Sequence, residues 1–422
     1  MIADPTGRLA EAYCRVRGLT EQLAQPLSPE DQTAQSMPDV SPTKWHRAHT
    51  TWFFETFVLE RFEREFVPYD PAYRVLFNSY YEAVGDQYPR PARATITRPG
   101  AAQVGNYRAA IDRRILTLLA GADHSDSAPM STLIELGLHH EQQHQELLLM
   151  DIKHVLSMNP LEPVYRSQTP AATGTVRPAA WVSVDGGLVE IGHDGAGFSF
   201  DNELARHRVH LEPFAVADRL ATAGEWQAFV DDGGYRRPEL WLSDGWQTVI
   251  DQAWGAPLYW RRHGEDWLVH TLNGTQPLTD AEPVCHVSLY EADAFARWAD
   301  ARLATEFEWE HAIVAADTTG QSFGLDRLHP TAAGPSDGRI QQVDGDCWQW
   351  TSSAYLSYPG FAPAVGAVGE YNGKFMSGQM VLRGSAAITP QGHARHTYRN
   401  FFSPSARWPM TGVRLAQGDT PR

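Results

Sequence analysis

The chain is poor in the features that several protein classes require. Only three cysteines, Cys14, Cys285 and Cys347, occur in 422 residues, with no C-x-x-C spacing. That excludes both a disulfide framework and a thiolate zinc site. No apolar run approaches the roughly 18 residues that a spanning helix needs. The first residues, MIADPTGRLAEAYCRVRGL, are interrupted by Asp4, Arg8 and Glu11, a pattern unlike a secretory signal. Basic residues are scarce as well. Lys plus Arg number 35 against 51 Asp plus Glu, a formal net charge of −16. Without a basic block there is nothing to attract nucleic acid or an anionic membrane. The expectation is a cytoplasmic protein with small-molecule partners, no nucleic-acid partner and no membrane partner.

What is present divides into two textures. Up to about residue 165 the chain reads as helical. GRLAEAYCRVRGLTEQLAQPL, KWHRAHTTWFFETFVLERFERE, QVGNYRAAIDRRILTLLAG and MSTLIELGLHHEQQHQELLLMDIKHVL each space apolar residues by three and four. Four such segments predict a four-helix bundle over 1–165. RSQTPAATGTVRPAA, 166–180, is poor in bulky apolar residues and reads as a linker. From 181 to 422 the texture is short strand-like runs, such as WVSVDGGLVEIG and HRVHLEPFAVAD, broken by Gly or Pro. Only two helices stand out there, TAGEWQAFVDDGG and SLYEADAFARWADARLATEFEWEHAI, the second expected to split near Arg302. The fold class is therefore α+β in two domains.

One five-residue stretch carries chemistry. Residues 140–144 read HEQQH, literally the H-E-x-x-H of zinc proteases. On a helix, His140 and His144 share a face and can bind one metal whatever the reaction. Upstream, WHRAHTTWFFE offers His46 and His49 as a third imidazole across a bundle core, where metal sites are commonly built. The protease reading is weak. The extended pattern wants Gly at 147 and His at 150, where the chain has Leu147 and Met150. A downstream ligand such as Glu162 follows Asn159-Pro160, outside any helix that would present it. Glu141 lies about 100° round the helix from His140, so it is expected to point away from the metal. Three histidines without a carboxylate depart from the two-His-one-carboxylate norm of iron oxygenases, and leave coordination positions for an incoming thiolate.

SPTKWHRAHTTWFFETFVL, LFNSYYEAVG, HHEQQHQELLLMDIKH, VLRGSAAITP and TYRNFFSPSARWPMTGVRLA together resemble the ergothioneine-biosynthesis sulfoxide synthases, the EgtB family. The first half is similar to DinB-type bundles. DGGLVEIG, NELARHRVHLEPFAVAD, GDCWQWTSS and neighbouring motifs in the second half resemble the formylglycine-generating-enzyme-like, C-type-lectin-related domain. The resemblance implies an Fe(II)- and O2-dependent enzyme joining a cysteine-type thiol to C2 of the hercynine imidazole. By motif match the iron ligands fall on His49, His140 and His144. Gln143 would hydrogen-bond the hercynine imidazole, and Asn400, Phe401 and Phe402 would hold substrate from the second domain. Aromatic faces suit a trimethylammonium head, which cannot donate a hydrogen bond. Tyr80 and Tyr81 are candidates for a phenol that hands a proton or electron to oxygen. Arg90 is a candidate fork for the amino-acid carboxylate.

Rivals stay in view. A copper oxidase of formylglycine-generating type would need cysteines after the R-G motif, and RGSAAITPQGHARHTYRN has none. A non-catalytic lectin-like module leaves the bundle histidines without a purpose. Relatives acting on histidine, as in ovothiol synthesis, or on selenium, as in selenoneine synthesis, share much of the site. For the thiol, Phe402 stands where the γ-glutamylcysteine-using branch carries an acidic residue, which favours cysteine over γ-glutamylcysteine.

Overall fold

The computed structural model describes residues 5–121, 127–167, 174 and 176–418. It divides into two compact units, Met1–Arg166 with Val365–Tyr371, and Ser167–Ala364 with Asn372–Arg422. The interior of the 166–180 stretch expected to be a linker lies outside the described residues.

Four long helices build the first unit: α1 (Pro5–Ala24), α2 (Thr43–Phe54), then, after the short α3 (Glu60–Phe62) and α4 (Tyr73–Leu76), α5 (Ala101–Ala120) and α6 (Ser127–Ser157). These are the four segments the periodicity marks. α2 is the central element, with all twelve residues buried and packed against both α5 and α6. It begins directly after Pro42, whose ring suits a helix start, and widens into a π turn over Glu55–Leu59. α6 has 31 residues, about 46 Å of helix, and carries the HEQQH run near its middle. Its Gly137 permits close approach, since a Cβ there would lie 2.6 Å from the Phe54 ring and 3.0 Å from Phe53.

The second unit mixes short strands and helices. β1 (Trp181–Val184), β4 (Phe214–Ala217), β13 (Leu415–Gly418) and β8 (Arg302–Leu303) form one antiparallel sheet, while β2 (Gly187–Ile191) and β3 (His207–Leu211) form a hairpin. β5 (Trp260–His263), β6 (Asp266–Thr271) and β7 (Gly274–Pro277) make a three-stranded meander. A further sheet orders β11 (Asn400–Phe402), β10 (Met380–Arg383), β9 (Trp348–Ala354) and β12 (Thr411–Gly412). The unit's helices are α7 (Ala223–Asp231), α8 (Ser243–Asp251), α9 (Leu289–Trp298) and α10 (Glu306–Ala315). The long second segment does split, with β8 lying between α9 and α10. Three helices start on reciprocal capping boxes, Thr222 with Glu225, Ser288 with Glu291 and Thr305 with Glu308. α8 has no such cap and is the helix the sequence reading lacked. Phe214, Val216, Trp309, Ile313, Ile340 and Val343 form the centre of one apolar core here. Among the described residues no helix is long and apolar enough to cross a membrane.

Candidate metal centre

α2 and α6 bring three imidazoles to one point. Single ligand atoms of His49, His140 and His144 all lie within 4.8 Å of one another. His49 Nε2 and His140 Nε2 are 3.2 Å apart. Ring centroids stand 5.0 Å apart for His49 and His140, 4.7 Å for His49 and His144, and 4.6 Å for His140 and His144. His49 and His140 are buried, while His144 keeps partial exposure. Burial, with the mutual repulsion of the cluster, holds His49 and His144 well below the ordinary histidine range, and burial lowers His140 to about 3. Neutral imidazoles are what a metal ion requires. His49 donates from Nδ1 to the Phe77 carbonyl at 2.6 Å, leaving Nε2 as its lone pair. A borderline divalent ion such as iron, zinc or copper fits three imidazole donors with no protein carboxylate among them.

The surroundings fix this geometry. His49 stacks on Trp45 at 4.7 Å and 8°, and Trp52 covers it at 5.5 Å. Phe53 packs against His140 at 4.7 Å. Arg93 lies over the Trp45 ring, 3.3 Å from its centroid, and donates to Ser41 Oγ at 2.8 Å. Arg90 itself is exposed and donates to the Asp39 carbonyl; three residues further on, Arg93 is the buried guanidinium of that segment.

Glu141 points the other way. Its carboxylate is fully buried, accepting from Arg17 Nη1 at 2.8 Å, Arg108 Nη2 at 2.8 Å and Thr20 Oγ1 at 2.6 Å. Burial alone would raise the carboxyl, but Arg17 and Arg108 hold it at about 2. A carboxylate saturated by two guanidiniums and a hydroxyl, away from the imidazole cluster, is not a general base. The zinc-protease reading of HEQQH therefore fails on geometry.

The tyrosines of the NSYYEAVG loop are held by Asn78. Its amide donates to the carbonyls of Tyr81 and Gly85, both at 3.0 Å, and its Oδ1 accepts from Tyr81 N at 3.1 Å. Tyr81 is fully buried, stacks on Tyr80 at 4.6 Å and packs on Trp52 at 5.6 Å, one ring removed from His49. Sequence reasoning missed Tyr371. Residues 365–371 belong to the helical unit, where Glu370 accepts from the backbone N–H groups of Glu82 and Ala83 at 3.0 and 2.9 Å. Tyr371 then stands edge-on to His140 at 5.5 Å and donates to Gln143 Oε1. Its separation from Gln143, 228 residues, left no local signal. Burial, Tyr80 and Tyr371 together push the Tyr81 phenol well above its usual range, so it is protonated.

Within the second unit, Asn400, Phe401 and Phe402 form β11, paired with β10. Phe401 stacks on Tyr355 at 4.1 Å, and Phe402 meets Trp408 edge-on at 5.7 Å.

Residues 12–148 match the DinB superfamily, and residues 167–337 match the sulfatase-modifying factor enzyme 1-like domain. The hercynine oxygenase of Mycolicibacterium thermoresistibile is 30% identical over 411 residues, covering 90% of this chain and 88% of that protein. That of Mycobacterium tuberculosis is 30% identical over 437 residues, covering 97% and 98%. The chain belongs to the hercynine oxygenase family. Ergothioneine biosynthesis protein 1 of Schizosaccharomyces pombe is 25% identical over 233 residues, covering 52% of this chain and 28% of that larger protein. The chain is thus an enzyme of the hercynine oxygenase type, with a DinB-like helical unit and a formylglycine-generating-enzyme-like second unit.

Proposed function

We propose that this enzyme uses Fe(II), held by His49, His140 and His144, to join cysteine to C2 of the hercynine imidazole as a sulfoxide. The observation that carries the reading is the triad itself: three neutral imidazoles with no carboxylate, in a chain of the hercynine oxygenase family. Bound iron supplies a site where thiolate and dioxygen meet, the thiolate bringing the negative charge that the protein ligands lack. The reaction balances without a further reductant. Thiol, imidazole C–H and O2 give one C–S bond, one S–O bond and water.

The chain's own residues supply binding and proton control. Gln143, one position before His144 and in contact with Tyr371, is the residue whose amide would hydrogen-bond the hercynine imidazole. Tyr371 stands edge-on to His140, and Tyr81, protonated, lies next to Tyr80; a phenol at this position can give up a proton as oxygen is reduced. The family resemblance extends substrate binding to Asn400, Phe401 and Phe402, and Arg90 is a candidate for the amino-acid carboxylate because a guanidinium fork fits it bidentately. Phe402 favours cysteine over γ-glutamylcysteine, because an apolar wall leaves the larger donor's second amino-acid head unpaired. Three unbridged thiols agree with a reducing, cytoplasmic setting.

The test is reconstitution with Fe(II) without oxygen, then O2 with hercynine and each donor, products weighed by mass spectrometry. Cysteine is expected to give the sulfoxide conjugate faster than γ-glutamylcysteine; the reverse order overturns the donor assignment. Tyr371→Phe is expected to divert product from the conjugate toward cysteine sulfinate, with Tyr80→Phe and Tyr81→Phe having smaller effects. An unchanged ratio in all three removes the phenols from the reaction.

A further inference from the structure

A pair of buried titratable groups, His46 and Asp151, lies beside the triad. His46 lies on α2 one turn before His49, and Asp151 lies on α6 two turns after His144; each is 3% exposed. Asp151 Oδ2 accepts the Ser41 backbone N–H at 2.7 Å and meets His46 Nε2 at 3.0 Å. The other face of the same imidazole, His46 Nδ1, lies 2.9 Å from His144 Nδ1.

Hydrogen-bond direction follows from these three distances. A carboxylate oxygen can only accept, so His46 Nε2 carries a hydrogen. With one ring hydrogen, already committed to Asp151, His46 has its lone pair at Nδ1. Two ring nitrogens 2.9 Å apart need one hydrogen between them, and in that arrangement it belongs to His144 Nδ1. His144 is left with a bare Nε2, a lone pair available to a metal. With the opposite tautomer of His46, the hydrogen of His144 would move to Nε2 and the ligand would be lost.

We propose that His46 and Asp151 are positioning residues which lock His144 in its Nδ1–H tautomer and so present its Nε2 to the metal. Each ligand is then supported differently. His49 leans on the Phe77 carbonyl, His140 Nδ1 has no hydrogen-bond partner among the described residues, and His144 alone is backed by an anion. The carboxylate that a two-histidine, one-carboxylate site would place on the metal stands here two imidazoles behind it. Through a hydrogen-bonded chain it polarises His144 and raises its basicity as a ligand, while leaving the coordination position free for substrate. The inference depends on the triad holding a metal, but its first readout does not.

The first experiment uses the full chain free of metal, labelled with 15N-histidine, in long-range 1H–15N correlation NMR, with His144 assigned through His144→Gln. The expected result is a His144 ring protonated at Nδ1 and bare at Nε2. A ring protonated at Nε2 overturns the proposal. The second experiment titrates Co(II) alone and records affinity and the d–d absorption spectrum. His46→Phe removes the acceptor and is expected to weaken Co(II) about 10- to 100-fold with an altered spectrum. His46→Gln, whose carbonyl oxygen can accept the same hydrogen, is expected to recover most of that affinity. Asp151→Asn retains an acceptor for Ser41 and is expected to fall between them. Wild-type affinity and spectrum in His46→Phe contradict the proposal, as does an equal loss in His46→Gln. Should His46→Phe not fold, the wild-type tautomer and the other two variants decide. A wild-type chain that binds no Co(II) would instead defeat the metal reading, and the tautomer measurement would still judge the pair.

Discussion

Adjacent residues of HEQQH serve different purposes because a helix turns them about 100° apart. His140 and His144 turn toward a cluster of rings, whereas Glu141 turns toward Arg17 and Arg108. Removing that charge leaves two buried guanidiniums short of their partner. Glu141→Gln is therefore expected to cost about 3–5 kcal/mol in stability, while the folded fraction keeps its metal affinity. Urea unfolding alongside Co(II) titration checks both; normal stability with lost metal binding would contradict the assignment. The histidines give a second prediction. His140 is held at about 3 when folded, against an ordinary value near 6.5 when unfolded, and His49 and His144 shift the same way. Between those values the unfolded chain binds the extra protons, so stability is complete above pH 6.5 and is lost as pH falls toward 3. For His140 alone the loss is roughly 1.4 kcal/mol per pH unit. Urea midpoints of the metal-free protein should therefore drop between pH 7 and pH 5.5, before ordinary carboxylates titrate. Identical midpoints would show that these rings are not buried neutral.

At the scale of elements, the site depends on how closely α6 approaches α2. Gly137 sits where a Cβ would collide with Phe54 and Phe53, which are 0% and 1% exposed, and Phe53 packs on His140. Alanine improves intrinsic helix propensity by up to about 1 kcal/mol, but overpacking a rigid core costs about 1–3 kcal/mol. Gly137→Ala is expected to be net destabilising and to weaken Co(II) binding through Phe53. A variant of equal or higher unfolding temperature with unchanged affinity would refute the close-packing account. The four long helices were legible because each carries apolar residues at helical spacing, and α9 and α10 because their caps and the intervening break are local. α8 was not legible: it is nine residues long and lacks a side-chain cap. The return of residues 365–371 to the helical unit was invisible for a different reason. Its contacts span more than two hundred residues, as from Glu370 to Glu82, and no periodicity records them.

For the molecule as a whole, sequence spacing reached the candidate metal ligands and left the third open between His46 and His49. Geometry separates the two, placing His49 in the triad and His46 behind His144. Tyr371, the phenol beside His140, was beyond sequence reasoning because it comes from the far end of the chain. The central claim is that this enzyme forms a C–S bond with dioxygen as its oxidant and oxygen source. The measurement that reaches it most directly is the mass of the product formed from hercynine and cysteine by the Fe(II)-reconstituted protein under oxygen-18 gas. The expected product is a conjugate carrying a single oxygen-18 atom, on sulfur, with no conjugate from a His140→Ala protein. A conjugate with unlabelled oxygen, or cysteine sulfinate as the sole product, would contradict the claim.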